Sequence, residues 1–279
     1  MGDDIDQTTF QAEVESAGEA LSPVRANLLF AREIQYPDLR PAEYLHRLDD
    51  LAAEAGRLLA TTSNTLERSL GLTAYLFDTL GFQGNRAHYA DPDNSYLNAV
   101  LERCLGIPIS LATVFVYVGE RLGLPVRGVG LPGHFIVGIG DGDERLFLDP
   151  FNDGMVLSEA ECAERARRAT GFEGPFDRGW LDPTPPRDIV ARMLNNLRGL
   201  YTQAKDWPLA IRVSERLHWL QPDEPGHLRD LGLLYYRDGA LNQAVQHLNL
   251  YLALAPHASD AEDLRHSRSL MLDHLARLN

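Results

Sequence analysis

The sequence predicts an α+β domain followed by an all-α domain. Three observations predict it. Helical spacing of apolar residues runs from about residue 22 to 122, strand-like runs replace it between about 126 and 150, and beyond residue 187 small and apolar residues recur at a fixed period of 34. A chain of 279 residues accommodates two domains, and 44% apolar with 24% charged residues is the composition of a folded soluble protein.

The elements follow in order. Residues 1–21 are polar and are expected to form a disordered or frayed tail. Helical periodicity begins at Ser22, with Pro23 suited to a first turn. "PAEYLHRLDDLAAEAGRLLA" (41–60) and "TLERSLGLTAYLFDTLGF" (65–82) carry apolar residues three and four apart and read as amphipathic helices. "QGNRAHYADPDNS" (83–95) is turn chemistry, with Asn94 or Ser95 expected to cap the short helix in "SYLNAVLERCLG". Pro108 opens the next helix and Gly123 closes it; between them "ISLATVFVYVGERL" is apolar nearly all round, which predicts a central buried helix. "VRGVGL", "HFIVGIG" and "RLFLDP" read as three strands, with "DGDE" (141–144) a hairpin-type turn. "LSEAECAERARRAT" (157–170) is a helix capped by Ser158, and the Pro- and Gly-rich "FEGPFDRGWLDPTPPRD" (172–188) is the expected linker.

After that linker Leu194, Leu197, Tyr201, Ala210 and Pro222 recur as Leu228, Leu231, Tyr235, Ala244 and Pro256. The second copy adds Gly232, Gly239 and Leu248 at the small, small and large positions of a tetratricopeptide unit. A last helix, about 260–278, is expected to cap the stack. Such a domain either presents a groove to a peptide or protein partner or braces its neighbour.

Composition excludes several functions. Residues 187–279 carry 11 basic and 11 acidic side chains, so the whole net charge of −14 belongs to residues 1–186. Binding phosphates requires clustered basic groups, and none is present, so nucleic acid is not an expected partner. No apolar run reaches the roughly 18 residues of a membrane span, and the acidic start "MGDDIDQTTF" lacks the order of a secretion signal, so a cytoplasmic protein without membrane contact is expected. Lys205 is the single lysine. Cys104 and Cys162 form no CxxC pair, and His46, His88 and His134 stand about forty residues apart; neither a metal nor another cofactor is expected.

Four side chains could carry chemistry. His134 in "LPGHFIVGIG" starts one strand and Asp149 in "RLFLDPF" ends the next, so adjacent antiparallel strands would set them side by side. A carboxylate there fixes the tautomer of an imidazole, as a general base requires. Cys104 or Ser110, at the entrance of the buried helix, would supply the nucleophile, aided by helix N-terminal amides. Each also has an ordinary structural role: a hydrogen-bonding His, a turn-opening Asp-Pro, a small buried thiol, a serine bonded back to its own helix.

The run "LFDTLGFQGN…YADPDNSYLNAVLERCLGIPISLATVFVYVGERLGLPVRGVGLPGHFIV…LFLDPFNDG" resembles the SirB-type family, in which a transglutaminase-like domain precedes tetratricopeptide repeats. The resemblance covers about residues 22–279. It implies a papain- or transglutaminase-like α+β core over 22–182 and a repeat domain over 187–279, and it places the family's His at His134 and its Asp at Asp149. The wider superfamily carries its nucleophilic Cys in a G-x-C pattern; here that pattern falls on Gly106-Ile107-Pro108, so proline holds the nucleophile's place. The expectation is a non-catalytic bacterial regulator or scaffold, a pseudoenzyme whose cleft, lined by Gly106, Pro108 and Gly133, holds a peptide or protein. The alternative is an active hydrolase or acyltransferase using Cys104 or Ser110 with His134 and Asp149.

Overall fold

Two units divide the chain between Met193 and Leu194, in a computed structural model that describes residues 5–140, 145–171 and 174–278. In the first unit helices α1 (Phe10–Ala17), α2 (Pro23–Ile34), α3 (Pro41–Leu58) and α4 (Thr65–Thr73) precede a π-helical turn, Ala74–Thr79. The expectation of a frayed tail over residues 1–21 does not hold for its described part. Phe10 is fully buried, edge-on to Phe30 at 6.1 Å, and Glu13 pairs with Arg25 at 2.6 Å. Those long-range partners, invisible to local periodicity, order α1.

A two-residue parallel ladder follows, β1 (Gln83–Gly84) on β2 (Leu105–Gly106), on either side of α5 (Leu97–Arg103). Neither Asn94 nor Ser95 caps α5. The cap residue is Tyr96, and the Leu97 N–H is satisfied by Asn27 Oδ1 of α2 at 2.8 Å, while Asn27 Nδ2 donates to the Ser95 carbonyl at 2.9 Å. A buried asparagine thus does from seventy residues away what a local cap does elsewhere.

The central helix α6 (Pro108–Arg121) has Pro108 in its first turn and Gly123 at φ +69° just beyond its end. Ten of its residues are buried, from Pro108 to Gly119. Phe115 stacks on Phe77 at 6.3 Å, and a Cβ at Gly119 would stand 2.6 Å from Val126, so glycine lets the sheet approach. That sheet is antiparallel and ordered as the chain runs: β3 (Val126–Val129), β4 (Ile136–Ile139), β5 (Leu146–Asp149) and β6 (Met155–Leu157). Val126 faces Ile139, Val137 faces Leu148, and Phe147 faces Leu157. β6 adds a strand to the three expected; the turn expected at 141–144 lies outside the described residues. Part of the expected linker covers the β3 edge instead of spanning solvent: Val129 bridges Pro183, and the Thr184 N–H donates to the Gly128 carbonyl at 2.8 Å. α7 (Glu159–Thr170) starts at a capping box of Ser158 and Glu161 and lays Cys162, Ala163 and Ala166 on the core.

The second unit begins within α8 (Pro186–Ala204) and continues through α9 (Trp207–Leu220), α10 (Gly226–Arg237), α11 (Leu241–Leu254) and α12 (Ala261–Leu278). The 34-residue period is visible atom by atom. A Cβ at Gly232 would meet Leu248 at 2.8 Å, so α10 and α11 cross closely. Gly239 turns at φ +83°, and its counterpart one period earlier, Lys205, adopts φ +59° at the cost that a side chain incurs there. On α12, Leu264 and Met271 cover Ala244, Leu248 and Tyr251, the capping role expected of the last helix. Among the described residues no helix is long and apolar enough to cross a membrane.

Candidate functional site

His134 and Asp149 meet. The turn Leu131–His134 closes through His134 N–H to the Leu131 carbonyl at 3.1 Å, with Gly133 at φ +69°. A side chain at Gly133 would collide with Ala169 of α7 at 2.5 Å, so the turn is pressed against that helix. Arg192 fixes it from α8, donating to the Leu131 and His134 carbonyls at 2.9 and 2.6 Å. The His134 ring then reaches Asp149, with Nε2 at 2.9 Å from Oδ2.

Asp149 is wholly buried and fully engaged. Its Oδ1 accepts from the Phe151 and Asn152 N–H groups at 3.1 and 3.3 Å. Its Oδ2 accepts from His134, from Asn152 Nδ2 at 2.7 Å, and from Arg165 at 2.8 Å. Burial pushes the carboxyl up, but the hydrogen bond and charge of His134, the Asn152 amide and the Arg165 guanidinium together outweigh it and hold the group below the usual carboxylate range. Asp149 is therefore ionised, and His134 presents Nε2–H to it. That leaves Nδ1 as the ring's other nitrogen, on a side chain 13% exposed.

Arg165, Asn152 and Arg192 were not singled out from the sequence. Arg165 lies three residues after the buried Cys162 and one before the buried Ala166, and that helical phase is the signal that could have placed it toward the sheet. Beside His134 the Phe151 ring stands edge-on at 6.5 Å, Tyr89 is edge-on to Phe151 at 5.7 Å, and the Arg86 guanidinium lies 5.3 Å over the same ring. Arg86 also donates to Asn152 Oδ1 at 2.6 Å. His134 thus opens onto a rim of one basic and two aromatic side chains.

Neither candidate nucleophile joins the pair, because the one hydrogen bond of the His134 ring among the described residues goes to Asp149. Ser110 is fully buried. Its hydroxyl donates to the Asn94 carbonyl at 2.6 Å and accepts from the Ile107 N–H at 3.0 Å, which makes it the internal cap of α6. Cys104 does not lead into α6 as expected. It ends α5 in the left-handed conformation, φ 53°, and its carbonyl accepts from the Gln83 N–H at 2.9 Å. Burial pushes its thiol up, with Arg47 only partly offsetting this. Cys162 is buried in the sheet–α7 core, its thiol pushed up to about 12 by burial. Of the three residues expected to line a cleft, Gly106 and Pro108 are buried; only Gly133 is exposed. A Cβ at Gly106 would stand 2.7 Å from Ser110 Oγ, so that space is filled by the cap itself.

The second unit carries two grooves on its own surface. One, of about 680 Å³, lies between α10 and α12 and includes Leu233, Tyr236, Leu270 and His274. The other, of about 600 Å³, lies between α8 and α10 and includes Arg198, Thr202 and Leu233.

Residues 42–195 match the transglutaminase-like superfamily, and residues 197–268 match the tetratricopeptide repeat. A UPF0162 protein of Xylella fastidiosa (strain Temecula1) is 41% identical over 244 residues, covering 84% of this chain and 85% of its own. The UPF0162 protein YchA of Escherichia coli (strain K12) is 28% identical, covering 82% and 84%. Protein SirB1 of Salmonella typhimurium is 26% identical, covering 88% and 91%.

Proposed function

We propose that this chain, which belongs to the transglutaminase-like superfamily, is a non-catalytic cytoplasmic regulator or scaffold that holds a peptide or protein partner. The observation that carries the reading is the state of the α6 entrance. Proline occupies the first turn, and the Ser110 hydroxyl gives its proton to a backbone carbonyl and not to an imidazole. A covalent route needs a nucleophile within reach of the base, and among the described residues the His134 ring bonds to Asp149 and to neither Ser110 nor Cys104. The Asp149 carboxylate, paired at once with His134 and Arg165, acts as a pin joining β5, the His134 turn and α7. Arg86, Tyr89 and Phe151 beside His134 offer a cationic and aromatic edge to an extended chain, and the repeat grooves offer a second surface.

The rival reading, an acyl-transferring or hydrolytic enzyme, rests on the retained His134–Asp149 pair and its unengaged Nδ1. Both are tested together. A photoreactive residue in place of Tyr89 is expected to cross-link one saturable partner, and Arg86→Glu is expected to abolish that cross-link. In parallel, intact mass after exposure to a fluorophosphonate is expected to stay unchanged. An adduct on Ser110 that disappears in His134→Ala would replace the scaffold reading with the enzymatic one.

A further inference from the structure

The rim around His134 holds a positive charge that no carboxylate balances. Arg192 lies within the first unit, on α8, and is half-buried; burial pushes its guanidinium below its usual value. Buried charges are ordinarily paired with an opposite charge. Among the described residues Arg192 touches instead the Leu131 and His134 carbonyls and the face of Phe135, 5.4 Å from the ring centre, and the one titratable group within electrostatic reach is Tyr89. Both carbonyls are served by a single nitrogen, Nη2. Three N–H donors remain on Nε and Nη1, and neither nitrogen is sealed from solvent.

Tyr89 adds a donor to the same place. Among the described residues its hydroxyl has no hydrogen-bond partner, and burial raises its pKa, so it keeps its proton and leaves the Arg192 charge unbalanced. Its ring is edge-on to Phe151 at 5.7 Å, and Phe151 is edge-on to His134 at 6.5 Å. Arg86 lies 5.3 Å over the Phe151 ring and, like Arg192, commits only Nη2, to two neutral acceptors, the Phe151 carbonyl and Asn152 Oδ1. Asp149 cannot supply the missing charge, because it is wholly buried and both its oxygens are engaged by other donors. Two guanidinium groups without a carboxylate and one uncommitted hydroxyl thus stand around two aromatic rings. Such a set repels a cation and has donors to offer an anion. One unbalanced buried charge matches a monoanion, whereas phosphate calls for a denser cluster of cations. A carboxylate accepts from a guanidinium and a hydroxyl at once, and bonds of that kind are among the stronger ones.

We propose that the His134 rim binds a carboxylate, held by Arg192 and the Tyr89 hydroxyl, with Arg86 as the outer charge. The proposal rests on the reading of this rim as a docking edge and names the chemistry that the edge recognises. The test is an NMR titration of the isotope-labelled full chain with 3-phenylpropionate, 3-phenylpropanol and phenyl phosphate. Saturable shifts at Tyr89, Phe151 and the His134 ring are expected with the carboxylate, weakening as salt is raised, and none with the alcohol. Arg192→Gln is expected to weaken binding about tenfold through loss of the charge, and Tyr89→Phe about fivefold through loss of one hydrogen bond. Arg168→Gln, on the exposed face of α7, is expected to change nothing. If Arg192→Gln does not fold, Tyr89→Phe and Arg86→Gln decide. A peptide with a free C-terminus, the same peptide amidated, and the amidated peptide carrying a glutamate separate a chain end from an acidic side chain, the tighter-binding probe naming the source. No saturable shift with the carboxylate, equal shifts with the alcohol, tighter binding of the phosphate, or an affinity unchanged by these substitutions would each overturn the proposal. A partner cross-linked at Tyr89 while the carboxylate fails to bind would remove this proposal and leave the docking reading. Carboxylate binding without a cross-linked partner would do the reverse and make the rim a site for a small acid.

Discussion

Replacing Arg165 with Met removes one charged donor from a carboxylate that water cannot reach, while keeping most of the aliphatic stem. Asp149 Oδ2 would lose its 2.8 Å contact to the guanidinium and keep His134 and Asn152; Oδ1 would keep its two backbone donors. Removing one partner of a fully buried, otherwise unpaired ion costs about 3–5 kcal/mol, and losing one hydrogen bond to a charged group costs about 1.5–3. Four donors remain and Arg165 is itself 26% exposed, so the lower range applies, and a loss of about 2 kcal/mol is expected. For a domain of this size that is roughly 4–8 °C in melting temperature. The pH dependence follows in sign. The folded pKa of Asp149 lies below its unfolded value, so the group's contribution is complete above about pH 4 and is lost as pH falls through the folded value. Arg165→Met removes one of the causes that lower it, so the variant should have less stability to lose on acidification. The assay is urea unfolding of the full chain between pH 7 and pH 3, with Arg168→Met as control. Arg168 pairs with Glu164 on the exposed face of the same helix and should cost about 0–0.5 kcal/mol. Equal effects of the two substitutions, or a larger acid sensitivity in Arg165→Met, would refute the reasoning.

Ser110→Ala should cost about 1–3 kcal/mol in urea unfolding, because it strands the buried Ile107 N–H and the Asn94 carbonyl; a loss below about 0.5 would mean the serine is not a structural cap. Two helical glycines of the second unit should respond with opposite sign. Gly232→Ala forces a methyl to 2.8 Å from Leu248 and should destabilise by about 1–3 kcal/mol, whereas Gly199→Ala meets nothing within 4 Å and should stabilise by about 0.5–1. Thermal melts of the two variants check the pair, and the same sign in both would contradict the close crossing of α10 and α11.

Local signals in the sequence carried the helices, the order of three strands, the Ser158 cap and the repeat, because each depends on residues within one or two turns of one another. The His134–Asp149 contact was legible because β4 and β5 are neighbours and Asp149 ends β5, although His134 does not start β4 as expected but lies in the turn two residues before it. What the sequence did not display depends on distant partners. α1 is ordered by Phe30 and Arg25, α5 is capped by Asn27, β1 finds β2 across α5, and Arg165 reaches Asp149 only once α7 has docked. The left-handed Cys104 is a backbone fact with no residue-type signal, since non-glycine residues are rare in that region. Reading Cys104 as the lead-in to α6 missed that it closes the helix before.

On the scaffold reading neither Cys104 nor Ser110 is activated by His134, and the rate of Cys104 alkylation against pH tests this most directly. Cys162→Ala protein isolates the thiol. A slow reaction, with a midpoint above the ordinary thiol value of about 8.5 and no change in His134→Ala, is predicted from its burial and its place at the end of α5. Fast alkylation with a midpoint well below that value, lost in His134→Ala, would contradict the claim and identify a cysteine enzyme.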